Sequence, residues 1–240
     1  MFYDYYDKTT NPLREWQARH LYPKFIKYIA KELPENPSVL EIGYGRGDFH
    51  KIFSKFYPKA KYNVIDANAA ICKLAEENGA NICVDGVTMI PPLPRNIENE
   101  SFDVVVMNNV VEHFLNCQIA SQALEELKPI LKASGKVVIF FPDYLDWKTD
   151  FFEVDYSHSF LTTRYRINRL LFDCGYDVVK NDYFRSAFNC FRLFFWILAR
   201  INNLVFGFIL HVTGNVWKRN LLFKCKIAFN RQALIVAQKK

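Results

Sequence analysis

Residues 39–49 read Val-Leu-Glu-Ile-Gly-Tyr-Gly-Arg-Gly-Asp-Phe, and this stretch decides the fold. A short apolar run ends in three alternating glycines, and a helical pattern begins directly after them. Such glycines let the backbone turn tightly and let a ligand approach the main chain. The spacing is one residue shorter than the dinucleotide-binding pattern G-x-G-x-x-G, and no Gly-Lys-Ser/Thr of a P-loop follows. The carboxylate of Asp48 in the first helical turn also disfavours a pyrophosphate there.

Short apolar runs and helical patterns alternate on both sides of this loop. We predict strands at 38–42, 61–66, 80–84, 102–107, 135–141, 176–183 and 232–237. We predict helices at 14–33, 48–57, 69–78, 117–133 and 161–174. This alternation indicates an α/β fold with a mainly parallel sheet covered by helices on both faces. Gly135 and Gly175 are expected to cap the helices that precede their strands.

Acidic and polar residues follow the other early strands. Asp66 ends the second strand, 19 residues after Gly47, where a carboxylate can accept hydrogen bonds from both hydroxyls of a ribose. Asp85 and Gly86 close the third strand, and Met107-Asn108 closes the fourth. Together with the glycine loop, these make four spaced elements at the ends of successive strands.

The spacing of the four elements resembles the class I S-adenosylmethionine (SAM)-dependent methyltransferases, over residues 38 to 184 and the last strand. The resemblance implies a Rossmann-like, seven-stranded mixed sheet of order 3-2-1-4-5-7-6, with strand 7 antiparallel and helices on both faces. It also implies a methyltransferase with SAM as its cofactor. The residues implied to bind the cofactor are Glu41, Gly43, Tyr44, Gly45, Gly47, Asp66, Ala67, Asp85, Gly86, Met107 and Asn108.

In this resemblance each part of the site has a stated role. The glycines pass under the methionyl part of SAM and Glu41 supports their loop, while Asp66 holds the ribose. Asp85 with Gly86 lies near the adenine, and Met107 with Asn108 lines the floor below the sulfonium. The stretch 11–14, Asn-Pro-Leu-Arg, is similar to one in the ubiquinone O-methyltransferases, in which the arginine reaches the SAM carboxylate. Arg14 is therefore a further candidate, on a helical N-terminal cap predicted over 1–37.

The candidate catalytic residues are Glu112 and His113, after strand four, and His158, after strand five. Methyl transfer from a sulfonium is a direct displacement, so the enzyme positions the acceptor and removes its proton. His113 is the candidate general base because its ordinary pKa, about 6.5, suits that task. His158 either lines the acceptor pocket or begins the next helix. The place that holds Asn/Asp-Pro-Pro in base-methylating enzymes reads Asn108-Asn109-Val110-Val111, which disfavours methylation of nucleic-acid bases.

A metal-dependent alternative also stands. In ubiquinone-biosynthesis and small-RNA O-methyltransferases, a Glu-x-x-Glu-His stretch at this place binds a divalent ion, and the small-RNA group adds a later His. Here Asn109 replaces the first carboxylate, while His158 lies at a similar distance to the later His. One carboxylate and two imidazoles make a poor magnesium site, so we expect no metal.

Charge is divided unevenly along the chain. The 240 residues, half of them hydrophobic, suit a single domain over 1–240 with a formal net charge of +6. Residues 183–240 contain ten Lys and Arg and no Asp or Glu, whereas the rest has 21 basic and 25 acidic residues. Six widely spaced cysteines without Cys-x-x-Cys, and a start unlike a signal peptide, lead us to expect a cytoplasmic protein with reduced thiols.

Residues 185–230 form a predicted basic, hydrophobic helical insertion between strands 6 and 7. Its aromatic, aliphatic and basic residues suit an interfacial helix pair on an anionic membrane. Arg192 and Arg200, eight residues apart, are expected on one helix face near Asn189 and Asn203, and that face points to the headgroups. The charged and amide residues argue against a simple transmembrane span. A homodimer interface, a lid over the sheet and single-stranded RNA binding are alternatives, although the long aliphatic runs make nucleic acid the least suited partner.

We therefore expect a peripheral membrane methyltransferase that O-methylates a lipid-linked or amphiphilic acceptor, such as a glycan or quinone-like molecule. One alternative is a soluble dimeric enzyme that methylates a small molecule or sugar. Another is a non-catalytic scaffold that binds SAM.

Overall fold

Strands and helices alternate along the chain, which a computed structural model describes at residues 12–82, 90–94, 97–184, 192–213, 223, 226–227 and 230–240. The strands are β1 (Ser38–Ile42), β2 (Lys61–Ile65), β3 (Asn81–Ile82), β4 (Phe102–Asn108), β5 (Leu131–Pro142), β6 (Tyr176–Phe184) and β7 (Gln232–Lys239). The helices are α1 (Pro12–Ile29), α2 (Asp48–Phe56), α3 (Ala69–Glu77), α4 (Cys117–Ile130), α5 (Tyr144–Trp147), α6 (Asp150–Val154), α7 (Arg164–Asp173) and α8 (Arg192–Thr213). Two 3₁₀ helices lie at Ala30–Glu32 and Val111–His113.

The strands form one sheet in the order β3-β2-β1-β4-β5-β7-β6. β1 pairs in parallel with β2 and β4, and β4 pairs in parallel with β5. β7 runs antiparallel between β5 and β6. The predicted sheet, strand order and antiparallel seventh strand are thus confirmed. Because parallel strands end on the same side, the loops after β1, β2, β4 and β5 share one edge of the sheet, the carboxyl edge.

Apolar side chains cover both faces of the sheet. In β4, Val104 and Val106 belong to one core layer, whereas Val105 and Met107 belong to the other. This period of two is what a strand buried on both faces requires. Helix α1 packs on the layer of Val104 through Phe25, whose ring centroid lies 5.1 Å from that of Phe49.

Several predicted boundaries differ by a few residues, and the difference at the junction of α4 and β5 changes the role of a glycine. The helix ends at Ile130, and Leu131 is already extended, with φ −79° and ψ 136°. Leu131 is fully buried and pairs with Phe102 of β4, so the strand begins four residues before the predicted 135. Gly135 lies inside β5 and is not a helix cap, whereas Gly175 follows α7 with the left-handed φ of +73° that was expected.

Helix α8 turns its polar side towards the fold. An Nη2 atom of Arg200 lies 3.7 Å from Asp146 Oδ1, and Asn203 Nδ2 donates to Asn230 Oδ1 at 3.0 Å. The expectation that these two residues face lipid headgroups is therefore wrong. On the other side of the helix, six exposed apolar residues form what we call the apolar stripe: Ile197, Ile201, Leu204, Val205, Phe208 and Val212. In the part of the chain that the structure describes, no helix is long and apolar enough to span a bilayer.

Replacing Phe25 with alanine tests the packing of α1 in the core. Phe25 is fully buried, and its ring contacts those of Phe49 and Phe140. We expect Phe25→Ala to lower the free energy of unfolding by about 3–5 kcal/mol, as for other buried phenylalanines, in urea denaturation. Phe56→Ala removes a ring that is 40% exposed and should cost less than about 1 kcal/mol. Equal losses in the two variants would contradict this packing.

Candidate active site

The carboxylate of Asp66 joins the loop after β1 to the end of β2. Its Oδ2 atom accepts the amide of Tyr44 at 2.9 Å, and its Oδ1 atom accepts the amide of Asn68 at 2.9 Å. The amide of Gly43 donates to the Ile65 carbonyl at 2.8 Å. Burial raises the pKa of Asp66, and hydrogen bonds from nearby backbone amides, Ala67 among them, lower it. The structure therefore brings Asp66 to the glycine loop, while Ala67 contacts the Asp66 carboxylate through its amide.

The glycine loop needs left-handed backbone, since Gly43, Gly45 and Gly47 have φ values of +77°, +57° and +72°. A Cβ atom on Gly43 would lie 2.5 Å from Cγ2 of Val110, so only glycine lets the loops after β1 and β4 approach this closely. A Cβ atom on Gly45 would meet no atom within 4 Å among the described residues. Within the described ranges nothing packs on the middle of the loop, as a loop that receives a ligand against its backbone requires.

Two buried polar side chains, those of Glu41 and Tyr44, belong to the end of β1 and to the loop itself. Glu41 is almost fully buried and accepts the hydroxyl of Tyr62 at 2.8 Å, and burial raises its pKa to about 8. The side chain of Tyr44 is also buried, with its hydroxyl 3.0 Å from His50 Nδ1. Glu41 thus bonds to Tyr62 of β2, and its support of the loop stays a prediction, whereas Tyr44 joins the loop to the core through its ring.

At the end of β4, Met107 is buried in the core and Asn108 faces α1. Asn108 Nδ2 donates to the hydroxyl of Tyr22 at 2.9 Å. Asn109 has a left-handed φ of +54°, which bends the chain just before the 3₁₀ helix that carries Glu112 and His113. No sequence pattern indicated Tyr22, because a hydroxyl brought in by a separate helix leaves no spacing signal. Asp85 and Gly86 lie outside the described residues, and so does the side chain of Arg14, whose backbone belongs to α1.

The structure brings the three candidate catalytic residues together. His113 and His158 have ring centroids 4.8 Å apart, and His158 Nε2 lies 4.0 Å from Glu112 Oε1. Glu112 is fully buried, and neither of its carboxyl oxygens has a hydrogen-bond partner among the described residues. The loop that carries His158 is held here because the amides of Ser159 and Phe160 both donate to the Glu112 carbonyl at 3.0 Å.

Burial sets the charge of this cluster. It raises the pKa of Glu112 to about 8 and, together with the neighbouring His158, lowers the pKa of His113 to about 4. Burial also lowers the pKa of His158. Near pH 7 the carboxyl group is therefore protonated and the His113 imidazole is neutral, which is the form able to accept a proton.

The same three residues could also hold an ion. Glu112, His113 and His158 each offer one ligand atom, and these atoms lie within 4.8 Å of one another. Two imidazoles and one carboxylate suit zinc or iron better than magnesium, which prefers oxygen ligands.

Two more residues contact this cluster and were not expected. Ser157 Oγ lies 2.8 Å from His113 Nδ1, and the Ser157 hydroxyl donates to Asp155 Oδ1 at 2.6 Å. Their only sequence signal was adjacency to His158, which does not identify a partner 44 residues earlier in the chain.

The strand order, the glycine loop and the acid after β2 together define the class I SAM-dependent methyltransferase fold. Residues 13–181 match the family model described as a methyltransferase domain. The match covers more than half of the chain, so the protein belongs to this methyltransferase family, with SAM as its cofactor. A comparison with curated proteins finds no match.

Solved structures share the fold at low sequence identity. A SAM-dependent methyltransferase from Archaeoglobus fulgidus is 18% identical, with a TM-score of 0.62 over 95% of this chain and 98% of its own. A protein from Pyrococcus horikoshii is 15% identical, with a TM-score of 0.63 over 100% of both chains. A geranyl diphosphate methyltransferase solved with SAM is 12% identical, with a TM-score of 0.58 over 94% of this chain and 85% of its own.

Replacing Gly43 with alanine should disturb the cofactor loop. The change adds the cost of a left-handed alanine and the clash with Val110, so we expect SAM to bind at least about 10-fold more weakly, or about 1.4 kcal/mol. Gly79→Ala is the matched control because its φ is +84° and its Cβ atom would meet nothing within 4 Å. Both variants should lose stability, but calorimetry should find weaker SAM binding in Gly43→Ala alone. Unchanged affinity in Gly43→Ala would contradict the role of the loop.

Proposed function

We propose that this methyltransferase acts at an anionic membrane surface and methylates an oxygen of an amphiphilic or lipid-linked acceptor, such as a glycan or a quinone-like molecule. We further propose that it lies peripherally on the cytoplasmic face of that membrane. The observation that carries this proposal is the apolar stripe of α8.

The stripe has the form of a helix face that contacts an apolar phase. Its residues follow the spacing of one helical face, and Leu204 and Phe208 are 74% and 69% exposed. Contiguous apolar surfaces of this kind mark interaction sites on proteins. On the opposite side, Arg200 and Asn203 are already bonded to the fold, so the apolar side is the one left to meet a partner.

Charge favours an anionic membrane over a second copy of the chain. Residues 185–230 contain seven Lys and Arg and no Asp or Glu, and of these Arg200 and Lys226 pair with Asp146 and Asp150 of the fold, which leaves five basic residues for a partner. Two such segments facing each other would repel, whereas anionic headgroups attract juxtaposed basic residues by about 1 kcal/mol each. The apolar stripe and the basic composition together fit a helix lying in the interface of an anionic bilayer.

Topology supports placing this surface beside the active site. The segment that contains α8 leaves β6 at Phe184 and enters β7 at Gln232, and these two residues pair with each other. Gln232 also pairs with Pro142, the last residue of β5, so both ends of the segment lie at the carboxyl edge. The segments that follow β4 and β5, which also carry Glu112, His113 and His158, contain four further exposed apolar residues: Leu115, Leu145, Phe152 and Tyr156. An acceptor with a hydrocarbon part would suit such surroundings.

In the proposed mechanism, SAM supplies the electrophilic methyl group. The glycine loop would cradle its methionyl part and Asp66 would contact its ribose. His113 would take the proton of the acceptor hydroxyl as that oxygen gains the methyl group and the sulfonium becomes a neutral thioether. His158 and the protonated Glu112 enclose this proton transfer away from water, and no metal ion takes part.

His113→Ala tests the proposed base. Removing the imidazole should leave SAM affinity within about twofold and slow methyl transfer by roughly 10²–10⁴-fold. The measurement is transfer of radiolabelled methyl from SAM into a membrane lipid extract, with SAM affinity followed by calorimetry. A normal transfer rate in this variant would exclude His113 as the base.

Treatment with EDTA should leave the wild-type rate unchanged in the same assay. A lost rate that returns with added zinc or manganese would instead favour the metal-dependent alternative. Absence of transfer to any extract, with intact SAM binding, would favour the non-catalytic scaffold.

Vesicle flotation tests the membrane proposal. The wild-type chain should float with anionic phosphatidylserine vesicles and much less with neutral phosphatidylcholine vesicles, because both the stripe and the basic residues contribute. The Leu204→Ser/Phe208→Ser variant should lose flotation. The Phe172→Ser/Val179→Ser variant also replaces two exposed apolar residues, but on α7 and β6, and should keep it. Failure of the wild type to float, with a stripe-dependent dimer in sedimentation, would support the soluble dimeric enzyme.

A further inference from the structure

We infer that Asp155 and Ser157 form a positioning pair that holds the proton of the neutral His113 ring on Nδ1. In consequence, Nε2 carries the lone pair of the imidazole. The value of this arrangement for catalysis rests on the proposed role of His113 as the base, whereas the tautomer itself can be measured independently.

The two hydrogen bonds of the Ser157 hydroxyl, with Asp155 and with His113, have one consistent direction, while the backbone carbonyls of Asn109 and Ser157 also interact with the His113 ring and raise its pKa. Asp155 Oδ1 accepts the backbone amide of Ser157 at 2.9 Å and its hydroxyl at 2.6 Å. A serine hydroxyl has one hydrogen, which is used in the bond to the carboxylate. The remaining contact, 2.8 Å from Ser157 Oγ to His113 Nδ1, therefore requires Nδ1 to donate.

The backbone holds this pair in place relative to His113. The amides of Ser159 and Phe160 donate to the carbonyl of Glu112, the residue before His113, at 3.0 Å each. The loop that carries Ser157 is thus attached to the 3₁₀ helix that carries the base. A partner fixed in this way limits rotation of the His113 ring as well as its tautomer.

His158 provides an internal reference with the same tautomer and a different cause. Its Nδ1 atom lies 2.6 Å from the backbone carbonyl of Phe151, and a carbonyl oxygen only accepts. His158 therefore also carries its proton on Nδ1, and its Nε2 atom points towards Glu112. Changes at Ser157 should leave this bond intact.

The tautomers can be read by long-range proton–nitrogen correlation spectra of the full chain with ¹⁵N-labelled histidine near pH 7.5. The five histidines give few signals, and His113→Gln identifies those of His113. We expect the Nδ1–H form for His113 and His158 in the wild type. In Ser157→Ala, His113 should shift towards the Nε2–H form while His158 is unchanged, and Ser157→Thr, which keeps the hydroxyl, should restore the wild-type signals. An Nε2–H form of His113 in the wild type, or identical spectra in Ser157→Ala, would overturn the inference.

Kinetics separate this inference from the proposed function. Ser157→Ala should lower kcat for methyl transfer into the membrane extract by roughly 10- to 100-fold, as for other residues that orient a functional group, with KM for SAM unchanged. His113→Ala is assayed in parallel. If His113→Ala is impaired and Ser157→Ala is not, the positioning role is overturned. If both transfer at the normal rate, the assignment of the base fails, and the spectra alone decide the tautomer.

Discussion

One carboxylate, that of Asp66, connects the two strand ends on which the cofactor site depends. The glycine loop contains three left-handed residues, and at Gly45 no described atom lies near enough to fix it by packing. The loop is fixed instead by hydrogen bonds, because Asp66 accepts the amides of Tyr44 in the loop and of Asn68 at the start of α3. Backbone amides also oppose the effect of burial on the pKa of Asp66, which favours the charged form that binds them. A ligand can therefore lie against the exposed backbone while the loop keeps its shape.

The parts of the fold that the sequence predicted are those in which local pattern and burial agree. β1, β2 and β4 were predictable because each apolar run ends at a glycine, an acid or an amide. The junction of α4 and β5 was not, because helical periodicity continues past Ile130 while the buried pairing of Leu131 with Phe102 already favours a strand. The same distinction applies to the residues that the structure brings together at the candidate site. Residues on strand ends were found, whereas Tyr22 and Ser157 come from elements whose arrangement only the tertiary fold determines.

Helix α8 shows how little an amphipathic pattern says about orientation. Its sequence contains one polar and one apolar face, and in water the apolar face would ordinarily be buried. Here the apolar face is exposed instead, because acidic residues of the fold pair with the polar side. These acids lie on two short helices that no sequence pattern predicted. Asp146 on α5 lies near Arg200, and Asp150 on α6 accepts Lys226 Nζ at 2.6 Å. These ion pairs and the amide bonds of α8 hold the polar side inward, so the exposed stripe follows from charge pairing and not from a lack of core to cover it.

The candidate catalytic cluster of Glu112, His113 and His158 is uncharged before reaction, and this affects the proposed proton transfer. Burial keeps Glu112 protonated and His113 neutral near pH 7, since an unpaired charge in this interior would cost several kcal/mol. In the proposed mechanism, His113 takes a proton from the acceptor, which creates a positive charge in that interior. The carboxylate of Asp155 raises the pKa of His113 and is linked to it through Ser157. The pair that we infer to fix the tautomer of the proposed base would therefore also stabilise the charge that appears only as the proton moves, and selective stabilisation of this kind lowers a barrier without tightening the binding of substrate.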